Sequence, residues 1–172
     1  MSRQRLWGLC VLLAAGCGPI HVVPLTAAVP VTELPPAPLE VVSRESGVSD
    51  PLHFSDGNSR VIFAGLEEPL GHAVATAAVP WAELHRSERP EGWQLLVELI
   101  QADVQRRSEQ VVVTLGVRAT LRTRTGNRYL GQTQAHCKQA ALVAPSDAAP
   151  VFYSCMMNVG RELAGWLGGI TP

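Results

Sequence analysis

Residues 111–123, VVVTLGVRATLRT, alternate between two kinds of side chain with a period of two. Odd-numbered positions up to 121 are apolar, whereas even-numbered positions after Val112 are small, hydroxylated or basic. The predicted inner face carries Val111, Val113, Leu115, Val117, Ala119 and Leu121; the outer face carries Val112, Thr114, Gly116, Arg118, Thr120 and Arg122. Successive side chains of a strand point to opposite faces. The pattern therefore predicts a strand in a sheet with one buried and one solvated face.

The return strand follows the turn-forming residues RTGN, 124–127. Its predicted inward residues are Tyr129, Gly131, Thr133, Ala135 and Cys137, because the alternate set is more polar: Leu130, Gln132, Gln134, His136 and Lys138. Paired residues share a face, so odd-numbered residues of the two strands must oppose each other. That register requires a three-residue loop or a bulge, with Gly126 or Asn127 supplying the left-handed residue.

Three further elements are predicted before this hairpin. Residues 60–66, RVIFAGL, have the β-branched and aromatic content of a strand. A helix is predicted to begin at Glu67, where two acidic residues precede a proline, and to kink or end at Pro80. Residues 93–104, WQLLVELIQADV, are apolar on both sides, which predicts a central strand.

Residues 149–169 are predicted to form the last helix. Its apolar stripe consists of Phe152, Cys155, Met156, Val159, Leu163 and Trp166. Cys155 and Cys137 would both point at the core, so we predict a disulfide between them, with two buried free thiols as the alternative.

The predicted order of elements is β-α-β-β-β-α, which favours an α+β fold with two layers. We expect a mainly antiparallel sheet of about four strands with two helices on one face, formed by residues 59–172. Residues 17–58 contain seven prolines and no sustained period, which predicts a Pro-rich tether. The alternative is that part of this segment packs as an edge strand, because residues 21–34 are quite apolar.

Residues 1–16 are predicted to be a signal peptide, because Arg3 and Arg5 precede an apolar run too short to span a bilayer. Ala14, Ala15 and Gly16 directly before Cys17 resemble the lipobox of bacterial lipoproteins. The resemblance implies cleavage before Cys17 and acylation of its thiol, which would anchor the chain without a transmembrane helix. An ordinary signal peptide that leaves a free thiol is the alternative. The residue after the cysteine is glycine rather than aspartate, which favours the outer membrane, with the chain facing the periplasm.

Composition and motifs disfavour several kinds of function. The formal net charge of −1 gives no reason to expect a nucleic-acid partner. The chain has no zinc-protease helix motif, no phosphate-binding glycine loop, no nucleophile elbow and no CxxC pair. Its five histidines form no convincing ligand set. We therefore expect no enzyme, no metal and no cofactor.

One basic set on the solvated sheet face has two interpretations. It consists of Arg118, Arg122, Arg124, His136 and Lys138. These residues are either an ordinary solvated face or a docking surface for lipid head groups or an acidic partner. The second interpretation is chemically reasonable because arginine forks match phosphate geometry.

The assembled features resemble the ABC-type transport auxiliary lipoprotein family over residues 60–168. They are the lipobox at Cys17, the Pro-rich spacer, LLVELIQADVQ at 95–105, the hairpin at 111–134 and the helix after SDAAP at 146–150. The resemblance implies a non-catalytic periplasmic lipoprotein that works beside an ABC transporter and its Mce-type protein in moving lipids between membranes. The GCGPIH segment at 16–21 also resembles the opening of the lipopolysaccharide-assembly lipoprotein that plugs an outer-membrane barrel.

We expect, accordingly, a non-catalytic outer-membrane lipoprotein that is an accessory component of an envelope lipid transport or assembly system. Its expected partners are the membrane, through its acyl chains, envelope transporter or assembly proteins, and lipid. The alternative function is that of a structural or interaction lipoprotein in another envelope machine.

Overall fold

The computed structural model describes residues 18–25, 39–45, 47–48, 50–57, 59–85 and 92–171. The predicted signal peptide and Cys17 lie outside these residues. The described strands are β1 (Ile20–Pro24), β2 (Leu39–Glu45), β3 (Leu52–Asp56), β4 (Ser59–Ala64), β5 (Trp93–Arg107), β6 (Gln110–Thr123) and β7 (Tyr129–Ala141). The described helices are α1 (Glu67–Leu84) and α2 (Ala149–Gly168), with a short 3-10 turn at Pro145–Asp147 before α2.

The larger sheet has the strand order β2-β5-β6-β7. Strands β5, β6 and β7 are antiparallel to their neighbours, whereas the edge strand β2 runs parallel to β5. The predicted inner face of β6 is confirmed, because its odd-numbered residues from Val111 to Leu121 are at most 1% exposed. The prediction that residues 93–104 form a central strand is also confirmed, since β5 lies between β2 and β6.

The register of the β6–β7 hairpin follows the predicted odd-to-odd pairing. Leu115 opposes Cys137 and Val117 opposes Ala135, and a bulge at Leu121/Arg122 brings the strands into this register. Gly126 has a positive φ of 76° in the connecting turn, as its position required. The prediction that Tyr129 points inward is wrong, because beyond the bulge it pairs with Arg122 on the outer face and is 61% exposed.

Both helices pack on the inner face of the larger sheet, α1 mainly against β2 and α2 against β7 and β6. The crossing between them is close, since a Cβ added at Gly160 would lie 2.8 Å from the carbonyl oxygen of Ala73. The sequence predicted that Pro80 would kink or end α1. It does not end the helix, which continues to Leu84. Trp81 and Ala82 are buried after the proline, and their packing stabilises the last turn against its helix-breaking tendency.

The smaller sheet has the strand order β1-β4-β3, with β1 parallel and β3 antiparallel to β4. Its inner face contributes Val61 and Phe63 to the core, and the Phe63 ring lies 4.9 Å from that of Phe152 in α2. The strand predicted at 60–66 therefore exists, but it belongs to this second sheet rather than to the first. The fourth strand of the larger sheet is instead β2.

The described parts of residues 18–58 are not an extended tether. They form β1, β2 and β3, which corresponds to the alternative that part of this segment packs on the domain. The physical reason is the burial of apolar side chains: Val23, Val41, Leu52 and Phe54 pack against the core. The free energy gained by this burial outweighs the tendency of the nearby prolines to disfavour strands.

The α+β fold class is confirmed, with two sheets of three and four strands and two helices in the described residues. Neither of these helices is long and apolar enough to cross a membrane.

Candidate binding face

The outer surface of the larger sheet, which we term the open face, is built from rows of paired side chains. The first row is Glu40, Gln94 and Arg122, the second is Val42, Leu96, Thr120 and Gln132, and the third is Arg44, Glu98, Arg118 and Gln134; further rows towards the other end of β6 contain His136 and Lys138. Paired residues project from the same side of a sheet, so each row crosses the strands as a continuous line. An uncharged row therefore separates two charged rows.

Glu98 is the centre of the third row. Its carboxylate accepts from the Arg44 guanidinium at 2.8 Å, and an Arg118 nitrogen lies 3.9 Å from its other oxygen. The Glu98 side chain is only 12% exposed, whereas those of Arg44 and Arg118 are 58% and 37% exposed. One carboxylate is thus shared between two arginines, which leaves the row with an excess of positive charge.

The first row is joined by hydrogen bonds around Gln94. Arg122 donates to the Gln94 side-chain oxygen at 2.9 and 2.6 Å, and the Gln94 amide donates to Glu40 at 3.1 Å. Arg124, just beyond the end of β6, lies 3.4 Å from the same Glu40 carboxylate. In this row Glu40 pairs with Arg124 directly, and Arg122 is linked to it through the Gln94 side chain.

Positive charge extends to the β7 edge. His136 pairs with Gly116 and Lys138 pairs with Thr114, and both basic side chains are exposed. The His136 ring lies across Gly116, where an added Cβ would meet its Nδ1 at 3.0 Å. The carboxylates of this face stand on β2 and β5: Glu40, Glu98, and Asp103, which pairs with Thr114 in the row of Lys138. The part of the open face on β6 and β7 itself carries cations and amides without a carboxylate.

The five basic residues singled out from the sequence therefore lie on one face or at its end. Two guanidinium pairs spaced by an uncharged row can bind phosphate or carboxylate groups, since arginine offers forked donors. No general acid, base or nucleophile set is formed by the described residues on this face. Nor do three histidine, cysteine, aspartate or glutamate side chains come together to hold a metal ion in the described part of the chain.

The Cys137–Cys155 disulfide lies beneath this face. It joins β7 to α2, as the sequence predicted, and its two cysteines are 5% and 0% exposed. Asn158, one turn along α2, donates to the Gln139 side chain at 2.9 Å and so adds a polar contact beside the bridge. The edge strand that carries His136 and Lys138 is thus fixed covalently to the helix layer.

Sequence reasoning missed Arg44 and the carboxylates Glu40 and Glu98. Glu98 lies in a strand taken as apolar on both sides, although Gln94, Leu96 and Glu98 mark its outer face by alternation. Glu40 and Arg44 lie in β2, which the prolines nearby concealed, although LEVVSRE at 39–45 alternates in the same way. A search for alternation alone, without regard to neighbouring prolines, would have found both residues.

No protein-family model and no curated protein matches the sequence. Among solved structures, protein XCC0632 from Xanthomonas campestris, of family DUF330, has a TM-score of 0.52 at 15% identity, covering 87% of this chain and 96% of its own.

Two others have lower TM-scores. A proposed lipoprotein from Caulobacter crescentus CB15 gives a TM-score of 0.42 at 14% identity, with 77% and 92% of the two chains covered. A minor lipoprotein from Acinetobacter baumannii gives 0.39 at 12% identity, with 56% and 80% covered. The likeness of fold rests on the first of the three, and this chain therefore shares its fold with protein XCC0632 of family DUF330.

Proposed function

We propose that this protein is a non-catalytic lipoprotein of the bacterial envelope, anchored through acyl chains on Cys17. In this proposal it serves as an accessory of a lipid transport or assembly system at the periplasmic side of the outer membrane. The observation that carries the proposal is the signal-like segment of residues 1–16, which ends in small residues directly before a cysteine.

Two structural features support this location. The Cys137–Cys155 disulfide is buried between strand and helix, and such bridges persist in oxidising compartments such as the periplasm. The described helices include none that could cross a membrane, so a membrane protein of this kind would depend on another anchor. Acylation at Cys17 supplies one, because two or more acyl chains hold a protein stably on a bilayer.

The open face supports an accessory role rather than catalysis. Its arginines stand in pairs, and its β7 side carries cations and amides without a carboxylate, which suits an acidic partner surface or phospholipid head groups.

A scaffold that binds nothing through this face is the second candidate. It is favoured by the salt bridges that Glu40 and Glu98 already make to three arginines, and by the hydrogen bonds of the fourth, Arg122, to Gln94.

A cross-linked pull-down of the acylated protein from native envelopes tests the proposal, with the Cys17→Ser variant as the control. We expect mass spectrometry to find a transporter, an Mce-type protein or a barrel assembly protein with the native chain and to find it depleted with the control. Recovery of none of these from intact envelopes would overturn the accessory role and leave the scaffold.

A further inference from the structure

The outward side of the smaller sheet carries an apolar cluster that the core does not use. We term it the β1 face, formed by Ile20, Val22, His53, Ser55, Arg60 and Ile62. Ile20 and Val22 are 61% and 63% exposed, and Ile62, between Val22 and His53, is half-buried. Val61 and Phe63, which alternate with them in β4, point the other way into the core.

The charge on this face has a single sign. Arg60 lies beside Ile20 in the register and is exposed, and His53 lies beside Ile62 and is exposed too. None of the residues that form the β1 face is acidic. Apolar side chains together with arginine are the composition by which proteins enter the boundary between phosphates and acyl chains.

The closeness of β1 to Cys17 in the sequence indicates which surface covers the β1 face. The Pro19 carbonyl already accepts a hydrogen bond from the Arg60 amide at 3.0 Å, so the backbone is attached to β4 from residue 19 onward. Two residues of fully extended chain span at most about 7 Å, so Cys17 must remain that close to the sheet. The polar head-group layer on one side of a bilayer is itself only roughly 5–8 Å thick.

We propose that the β1 face rests on the membrane surface, with Ile20 and Val22 at the acyl boundary and Arg60 on lipid phosphate. This inference rests on the proposed acylation of Cys17, which fixes the start of β1 at the depth of the head groups. The domain is then held against the bilayer in one orientation instead of standing away from it on a tether.

Nitroxide labels on the acylated full-length protein test this placement. Val22→Cys and Ile20→Cys report on the face, and His21→Cys, also exposed, reports on the opposite side of the same strand. Leu84→Cys is the control outside this face, because Leu84 is 74% exposed and lies at the end of α1 rather than on the smaller sheet. The native thiols do not interfere, since Cys17 is acylated and Cys137 and Cys155 are bridged.

The labelled proteins are reconstituted into vesicles of phosphatidylethanolamine and phosphatidylglycerol, and acylation is verified by intact mass. We expect a ratio of oxygen to nickel-reagent accessibility that is severalfold higher at positions 20 and 22 than at 21 and 84.

Three results would overturn the membrane contact. Equal, water-like ratios at all four positions in acylated protein would reject the contact and leave the proposed function standing. Labels at 20 and 22 shielded from both reagents would show that a second copy covers the face. Absence of acyl chains on Cys17 in protein from native envelopes would reject the contact and the lipoprotein function together.

Discussion

Residue identity is tightly constrained where the two helices cross. Gly160 has no side chain, which lets the backbone of α2 approach Ala73 of α1; an added Cβ would lie 2.8 Å from the Ala73 oxygen and 3.2 Å from its carbon. Backbone atoms cannot rotate away as a flexible side chain can. The identity of residue 160 therefore sets the distance between the helices.

Gly160→Ala should destabilise the protein by about 1–3 kcal/mol, because the extra methyl forces the helices apart. Gly165→Ala is the matched control, since it lies in the same helix with nothing within 4 Å of its added Cβ. The control should be stabilised by roughly 0.5–1 kcal/mol through helix propensity. Urea unfolding of both variants measures the difference, and equal shifts would show that the crossing is not close.

Residue patterns also explain which side chains were predictable. The positions of Cys137 and Cys155 followed from period two in one element and helical spacing in the other, so their meeting could be inferred. Tyr129 could not be placed, because a single bulge reverses the face of every residue beyond it.

At the scale of elements, the disulfide connects the edge strand β7 to α2 across a sequence separation of 18 residues. Replacing both cysteines by alanine should cost about 3 kcal/mol in the chain-entropy model, because the unfolded chain is no longer cross-linked. Thermal or urea unfolding of the double variant measures the loss. Two titratable thiols from Cys137 and Cys155 in unfolded, unreduced wild-type protein would contradict the bridge.

On the open face, the effect of a mutation on function can be separated from its effect on stability. Arg118→Ser with Arg122→Ser should change the free energy of unfolding by no more than about 0.5 kcal/mol each, since both are partly exposed and Arg44 still faces Glu98. Capture of partners from native envelopes should fall severalfold.

The control for this experiment is Arg106→Ser with Arg161→Ser, which removes two exposed arginines that do not lie on the open face. Unchanged capture by the open-face variant, with the fold intact, would identify a solvated face. Equal loss in both variants would indicate a general effect of net charge rather than a specific surface.

Strands β1 and β2 were not predicted, and they show what local sequence patterns do not reveal. Strand β2 pairs in parallel with β5, more than fifty residues later, and β1 pairs in parallel with β4, so no tight turn signals either partnership. The β6–β7 hairpin is antiparallel and local, and its turn residues are visible in the sequence. The prolines between β1 and β2 therefore suggested a spacer. The core-facing apolar residues of these two strands are buried only by pairing with β4 and β5, which are distant in the chain.

For the whole molecule, the two sheets and two helices of the described residues form one core, to which β1, β2 and β3 contribute. A chain that begins at Ser59 should lose cooperative unfolding, because β4 loses both neighbours and the buried Phe63 loses its cover. The reference is a chain that begins at Gly18, which retains β1, β2 and β3. Cooperative urea unfolding of the shorter chain with undiminished stability would show that these strands are dispensable.

The lipid anchor at Cys17 is tested most directly by intact mass analysis of the protein from native envelopes. We predict a mature chain that begins at Cys17 and carries acyl chains, with residues 1–16 removed and Cys137 and Cys155 still bridged. A chain that retains residues 1–16, or one that begins near Cys17 with a free thiol, would contradict the lipid anchor.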